Sequence, residues 1–283
     1  MFSVVIPAYN SESTIEAAVR SAVSSGASEV IVVDDGSTDA TAEVSIALGA
    51  VIIRQENSGA SAARRVGAEA ATGEYLVFLD ADDELVPNGV RESVTQLVRE
   101  PSLAVCAGTI IGVGSHREVA FPIRYSPVTT ETLLREGYGP WPPAAAVLRR
   151  AAYEATLQMA PPPLSPRYAE DYELLIRLSI VGGIKVHETP AAKYRLVGGK
   201  SARAADSAIM SKENIRAYYA DFCGLSIDLM SHNDVARAAL VRTARAQWSS
   251  GSRVRAAITL GQWMLRNPTA SFKTLASRPW NRN

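Results

Sequence analysis

The chain has 283 residues, 47% of them hydrophobic and 20% charged, with 29 basic and 29 acidic side chains. That apolar content builds a real core and excludes global disorder, and the length suits one large domain or one domain with an appendage. Two cysteines, Cys106 and Cys223, exclude a disulfide framework and fit a reducing compartment.

The longest uncharged apolar stretch, Leu103 to Gly114, is shorter than the roughly 18–20 residues of a spanning helix. No basic region precedes the first apolar run, so the expectation is a soluble, cytoplasmic protein without a signal peptide. From the N-terminus, Ser3 to Pro7 reads as a buried strand. Ser13 and Glu16 form a capping-box pattern ahead of Ile15, Ala18, Val19, Ala22 and Val23 at helical spacing, and Gly26 stops the run. Val30 to Val33 is a second strand that ends at Asp34-Asp35-Gly36-Ser37, with a helix from about Asp39 to Leu48. Val51 to Arg54 makes a third strand, and an alanine-rich helix follows Asn57-Ser58-Gly59. Tyr75 to Leu79 is a fourth strand, ending at Asp80, Asp82 and Asp83. This alternation predicts an α/β fold with a mainly parallel, doubly covered sheet and ligands beyond the carboxyl ends of its strands.

Leu103 to Val113 and Glu118 to Ile123 look like further strands, and Glu170 to Val181 like a helix with Leu174, Leu175, Leu178 and Val181 on one face. Beyond Asp206 the chain reads as helical, with a turn at Ser249-Ser250-Gly251-Ser252 between two antiparallel helices.

Carboxylates crowded at a buried strand end repel one another unless a cation or hydrogen-bond donors compensate. Asp80 and Asp82 therefore suggest a hard divalent ion, Mg²⁺ or Mn²⁺, able to hold phosphates as well. Asp83 and Glu84 are explained as well by a solvated turn capping the next helix. In the second cluster Gly36 permits a tight turn, and Ser37 or Thr38 can cap a helix. Capping leaves the doubled Asp34-Asp35 unexplained. Arg64, one to two turns into its helix, is either a phosphate partner or half of a surface ion pair.

These motifs, from Val5-Ile6-Pro7-Ala8-Tyr9-Asn10 through Asp34-Asp35-Gly36-Ser37-Thr38-Asp39, Asn57 to Arg64 and Gly73 to Asp83, resemble in order and spacing the inverting family 2 glycosyltransferases with the GT-A fold. The resemblance covers about residues 1–200. It implies a nucleotide-sugar half (1–100), an acceptor-side half (101–200) and, outside it, a basic helical extension (201–283). Carried over, Pro7, Ala8 and Tyr9 form the base pocket, with Tyr9 stacking on the nucleobase and Asp35 bonding its edge. Asn57 and Arg64 hold the diphosphate, Asp80 and Ala81 lie at the ribose, and Asp82 with Asp80 binds Mn²⁺ or Mg²⁺. The pair Glu170-Asp171 opens a helix in the acceptor half, with Asp171 as catalytic base; a helix N-terminus stabilises negative charge there. The implied donor is a nucleoside-diphosphate sugar, with uridine the commoner family base, and the implied acceptor is a hydroxyl of a glycan or lipid-linked molecule. Trp141, in Pro140-Trp141-Pro142-Pro143, is either part of a sugar platform or simple loop packing.

One position departs from the family pattern: Val197 stands where many members have a histidine for metal and diphosphate, with Lys200 as an alternative source of charge. Two other classes compete with a sugar transferase. A nucleotidyltransferase would want a glycine-rich basic loop after the first strand, which Ala8-Tyr9-Asn10-Ser11 is not, and a silent glycan-binding scaffold would have no use for Asp80, Asp82 and Asp171.

The zero net charge divides unevenly. Residues 1–199 carry 16 Lys/Arg against 24 Asp/Glu, and residues 200–283 carry 13 against 5, with no acid after Asp234. This basic, tryptophan-bearing tail either docks on the acidic front part or meets the anionic face of a membrane; its dispersed charges and lack of a binding motif argue against nucleic acid. Leu240, Ala244 and Trp248, on one helical face, read as a packed stripe.

Overall fold

The computed structural model describes residues 1–114, 118–166, 168–195, 205–249 and 251–266. They divide into two compact units. The first holds every strand and runs to Arg195; the second holds the C-terminal helices.

In the first unit β1 (Phe2–Ala8), α1 (Ile15–Ser24), β2 (Glu29–Asp34), α2 (Thr41–Ala47), β3 (Val51–Arg54), α3 (Ala60–Ala70) and β4 (Tyr75–Phe78) alternate strictly. β1 lies between β2 and β4, β3 lies outside β2, and all four run parallel. β1 and β4 are buried along their whole lengths, which is why they read as unbroken apolar runs rather than as alternation. α3 lies close on this layer because of Gly67: a Cβ there would sit 2.3 Å from Val5 Cγ1 and 3.1 Å from Val33 Cγ2.

Beyond β4 the sheet becomes mixed. The chain continues through β5 (Glu84–Leu85), α4 (Pro87–Arg99), β6 (Leu103–Val113), β7 (Glu118–Phe121), α5 (Thr130–Glu136), a 3-10 turn (Pro143–Ala145), β8 (Ala146–Arg149), α6 (Arg150–Gln158), α7 (Glu170–Val181) and β9 (Gly183–Arg195). The sheet order is β3-β2-β1-β4-β8-β6-β9-β5, with β7 on β6. β8 is antiparallel to both β4 and β6, β9 is parallel to β6, and β5 is antiparallel to β9. The α/β expectation holds; the sheet is parallel through its first four strands and again between β6 and β9, with antiparallel pairs elsewhere beyond β4. β8 is a four-residue strand inside a loosely patterned stretch, too short to be heard in the sequence.

Two expected caps are replaced. The Ser13–Glu16 box does not form: α1 starts at Ile15, the Ser11 carbonyl accepts from the N–H groups of Thr14 and Ile15, and Glu16 pairs with Arg20 at 2.8 Å. Ser37 and Thr38 do not cap α2. The N-cap position is Ala40, which has no side-chain cap, and Asp39, one residue earlier, accepts at Oδ1 from Thr41 N at 3.1 Å. α7 buries Leu175 and Leu178 as expected, and also Tyr172, Ile176 and Arg177, while Leu174 and Val181 are only half-buried. The Arg177 guanidinium is satisfied inside by the carbonyls of Thr156, Met159 and Pro161.

The second unit contains α8 (Ala205–Cys223), α9 (His232–Ser249) and α10 (Arg253–Arg266). Gly251, at φ +79°, makes the turn between α9 and α10, its N–H bonding to Trp248 O at 3.1 Å. In α9 Val235 and Ala239 are buried on one side and Ala244, five residues further on, on another. Of the expected stripe Ala244 is fully buried, Leu240 half-buried and Trp248 37% exposed, so it is packed at its centre and open at its C-terminal end.

Candidate active site

The carboxyl ends of β1, β2 and β4 lie side by side, and the polar clusters sit there. Ala8 pairs with Asp34 across the strand ends, and Asp35 N donates to Ala8 O at 2.8 Å. Pro7 and Ala8 are buried in β1, and Tyr9, the next residue, emerges 42% exposed, its ring accessible at the sheet edge.

The segment after β1 is bonded to the turn after β2. Asn10 N donates to Ser37 Oγ and Thr38 N to Asn10 Oδ1, each at 2.9 Å. Glu12 N donates to Asp39 Oδ2 at 3.1 Å. Burial works against the Asp39 charge, but hydrogen bonds from Thr41 and Glu12 outweigh it and hold its carboxyl below the ordinary value. Gly36, at φ +80°, makes the turn that allows this, and a Cβ there would come within 3.2 Å of Asn57 N. Asn10 and Asp39 were not expected among the site residues; Asn10 adopts φ 49°, a conformation asparagine tolerates best among non-glycine residues.

The two acids after β2 have different surroundings. Asp34 is buried, accepting from Ser37 N at 2.9 Å with Arg54 Nε 3.4 Å away. Asp35, also buried, organises the loop before α3: Oδ1 accepts from Gln55 Nε2 at 2.7 Å and Ser58 N at 2.8 Å, and Oδ2 from Gly59 N at 2.9 Å. Three of its roughly four acceptor positions are thereby filled, leaving about one for a ligand. Asn57 is exposed on that loop.

From α3, Arg64 reaches the turn after β4, where Nη2 donates to Asp80 Oδ1 at 2.6 Å. The ion pair is inside the site, not on an open surface: the guanidinium is largely buried and the carboxylate about one-third exposed. Ala81 is buried and Asp82 exposed. Asp83 is not the solvated cap expected of it. It is buried, and its Oδ1 accepts from Arg195 N at 2.9 Å at the end of β9. Burial raises its carboxyl to about 7; the Arg195 N–H works against this, and the charges of Asp80 and Asp82 add to it.

That crowding is the observation on which a cation can be tested. Among the described residues there is no group of three or more His, Cys, Asp or Glu arranged to hold a metal. Asp80 and Asp82 nonetheless fit one, as two hard oxygen donors on one turn with an excess of negative charge. A divalent ion there would complete its coordination from phosphate and water. Val197 and Lys200 lie outside the described residues.

Asp171 is the exposed second residue of α7 and Glu170 its half-buried first, and Asp171 Oδ1 accepts from Tyr172 N at 2.8 Å. Tyr194, near the end of β9, links this helix start to the turn after β4. Burial raises its phenol, and the charges of Asp83, Asp80, Asp82 and Asp171 all raise it further. The charges of Asp171 and of the three acids of the turn thus all act on one phenol. The sequence marked Tyr194 and Arg195 only as a strand end. Trp141 is buried and packed in its loop.

The family model described as Glycosyl transferase family 2 matches residues 3–155. An uncharacterised glycosyltransferase of Haemophilus influenzae is 29% identical over 188 residues, 63% of this chain and 62% of that one. The chain spans 32–62% of the length of the first curated relatives it matches. Among solved structures, S. aureus TarS 1–349 in complex with UDP-GlcNAc superposes with a TM-score of 0.62 at 18% identity, over 94% of this chain and 81% of that one. Glucosyl-3-phosphoglycerate synthase from Mycobacterium tuberculosis, in complex with Mg²⁺ and UDP, does so with 0.52 at 23% identity, over 80% of each chain. At these identities the two structures share the fold.

Proposed function

The chain belongs to glycosyl transferase family 2, and from that premise we propose that it moves a sugar from a nucleoside-diphosphate donor to a hydroxyl of a glycan or lipid-linked acceptor, with inversion at the anomeric carbon. The observation that carries the reading is the Arg64–Asp80 pair, 2.6 Å long, on an acidic turn at the carboxyl end of β4, with the charges of that turn and of Asp171 all acting on the Tyr194 phenol. A base for the acceptor and a phosphate-handling turn are what such a transfer needs within one site.

Each of the chain's own groups has a task in this reading. The exposed Tyr9 ring stacks on the nucleobase, and the remaining acceptor position of Asp35 takes an N–H from the base edge. The loop bearing Asn57 is already ordered by Asp35, so little further ordering is needed when the donor binds. Arg64 fixes Asp80 and brings positive charge to the diphosphate. Asp171 takes the proton from the acceptor hydroxyl as it attacks the face of the anomeric carbon opposite the nucleotide, so the sugar inverts. General-base assistance of this kind contributes about 10²–10⁴-fold. Asp82, with Asp80, would hold Mg²⁺ or Mn²⁺, which when bound neutralises charge on the leaving diphosphate. Uridine is the first base to try, because the two solved relatives above were captured with UDP-GlcNAc and UDP.

The test is calorimetric binding of UDP, dTDP, GDP and CDP, each with and without Mn²⁺, to the wild type and to Asp82→Ala. The expected result is metal-dependent binding of one nucleotide that Asp82→Ala loses. Well-folded protein that binds none of the four would sink the reading.

A further inference from the structure

We propose that α10 is an interfacial helix whose outer face inserts into an anionic lipid surface. This inference stands independently of the reaction assigned to the first unit. α10 packs on α9 through Ala256, Thr259 and Trp263, all buried, with Thr259 Oγ1 donating to Gln247 Oε1 at 2.9 Å. The side facing away from α9 is apolar where a solvated helix would be polar. Val254 is 75% exposed, Ile258 59% and Leu265 85%, with Met264 at 39%. With Ala257 and Gly261 between them, these residues fill a continuous arc of about 120° at 3.6 residues per turn. Arg253 and Arg255, both exposed, stand at its two edges.

Charge selects the occupant. From Val235 to the end of the chain there are nine Lys/Arg and no Asp or Glu. A second copy would bring the same basic helix against this one. Residues 267–283 hold three of those nine positive charges and no negative one. Both are therefore poor covers for an arginine-edged face. An anionic bilayer offers what the face lacks: acyl chains for Val254, Ile258 and Leu265, and phosphate for the arginines, whose aliphatic stems span the boundary. No helix among the described residues is long and apolar enough to cross a membrane, so the contact lies in the plane of the surface.

The experiment is co-sedimentation of the full chain with vesicles of phosphatidylcholine alone, and of phosphatidylcholine with roughly one third phosphatidylglycerol, at low and physiological salt. The variants are Ile258→Ser with Leu265→Ser, and Arg253→Gln with Arg255→Gln. The serine pair lies off the packed face, Arg253 also lies over the Trp248 ring of α9 at 5.7 Å, and circular dichroism and melting check that each variant folds. The expected result is binding to the anionic vesicles only, weakened about tenfold or more by the serine pair and made weaker and less salt-sensitive by the glutamine pair. Three results would overturn the proposal. The wild type does not bind anionic vesicles at low salt; the serine pair binds as well as wild type; or light scattering shows a dimer that the serine pair converts to monomer, which makes a second copy the occupant.

Discussion

Arg64 on α3 and Asp80 after β4 are joined at 2.6 Å, so the helix carrying the one is tied to the turn carrying the other. Neither residue then acts alone. Arg64→Ala removes positive charge from the site and also releases Asp80; Asp80→Ala leaves a largely buried guanidinium without that partner. Each single change should weaken nucleotide binding about tenfold or more. The double variant should lose less than the sum, with a coupling of about 1 kcal/mol. A double-mutant cycle read by calorimetry checks this. Additive losses would mean that the two contact the donor independently.

Gly67 sets the distance between α3 and the strands. Its missing Cβ is the space that Val5 Cγ1 occupies, 2.3 Å from where that atom would stand. Gly67→Ala should therefore destabilise the fold by about 1–3 kcal/mol despite the better helix propensity of alanine, because overpacking outweighs a gain of about 1 kcal/mol. Combining it with Val5→Ala should recover part of the loss, as two changes that share one space. Thermal melting of the three variants measures it.

The sheet and the acids could be read in the chain to different degrees, for physical reasons. Parallel strands buried on both faces leave short apolar runs, and Val30 to Val33 and Tyr75 to Phe78 were visible for that reason. Asp80 and Asp82 stood out because like charges at a strand end are costly. What separates Asp83 from them, burial under β9, comes from a bond to Arg195, 112 residues away, which no local pattern announces. A similar separation, 111 residues, hid that the acids of the turn act on the Tyr194 phenol. Gln55 and Ser58 were passed over because ordinary loop residues became partners of Asp35 only once β2 and β3 were paired. In α9 the expected side is packed at Ala244 and open at Trp248, and a second buried side, at Val235 and Ala239, went unread because a helix with more than one neighbour has more than one apolar side.

Glu29, at the start of β2, accepts from Ser3 Oγ, Thr72 N and Oγ1, and Gly73 N. Burial opposes its charge, but these bonds prevail and hold its carboxyl below the ordinary value of 4.5. A folded-state value below the unfolded one means that stability is fully present above the unfolded value. It is lost as pH falls through the acid range, when the folded carboxyl takes up its proton. Glu29→Gln should therefore lower the melting temperature at neutral pH and flatten its fall between about pH 5 and pH 3. Parallel melting curves for wild type and variant across that range would show that Glu29 does not carry the dependence.

Asp171 offers the cleanest separation of binding from chemistry. Its carboxylate lies at the exposed start of α7 and bonds only locally, to Tyr172 N at 2.8 Å, among the contacts described. Asn keeps the size and one oxygen for that bond and removes the base. Asp171→Asn should keep nucleotide affinity within about twofold, keep its melting temperature, and lower transfer by about 10²–10⁴-fold. The measurements are calorimetry with the nucleotide that wild type binds, and release of nucleoside diphosphate in the presence of an acceptor. A rate loss with intact binding is the signature of a group that acts in the transition state. If affinity falls together with rate, Asp171 belongs to the donor pocket, and the proton must go to another carboxylate.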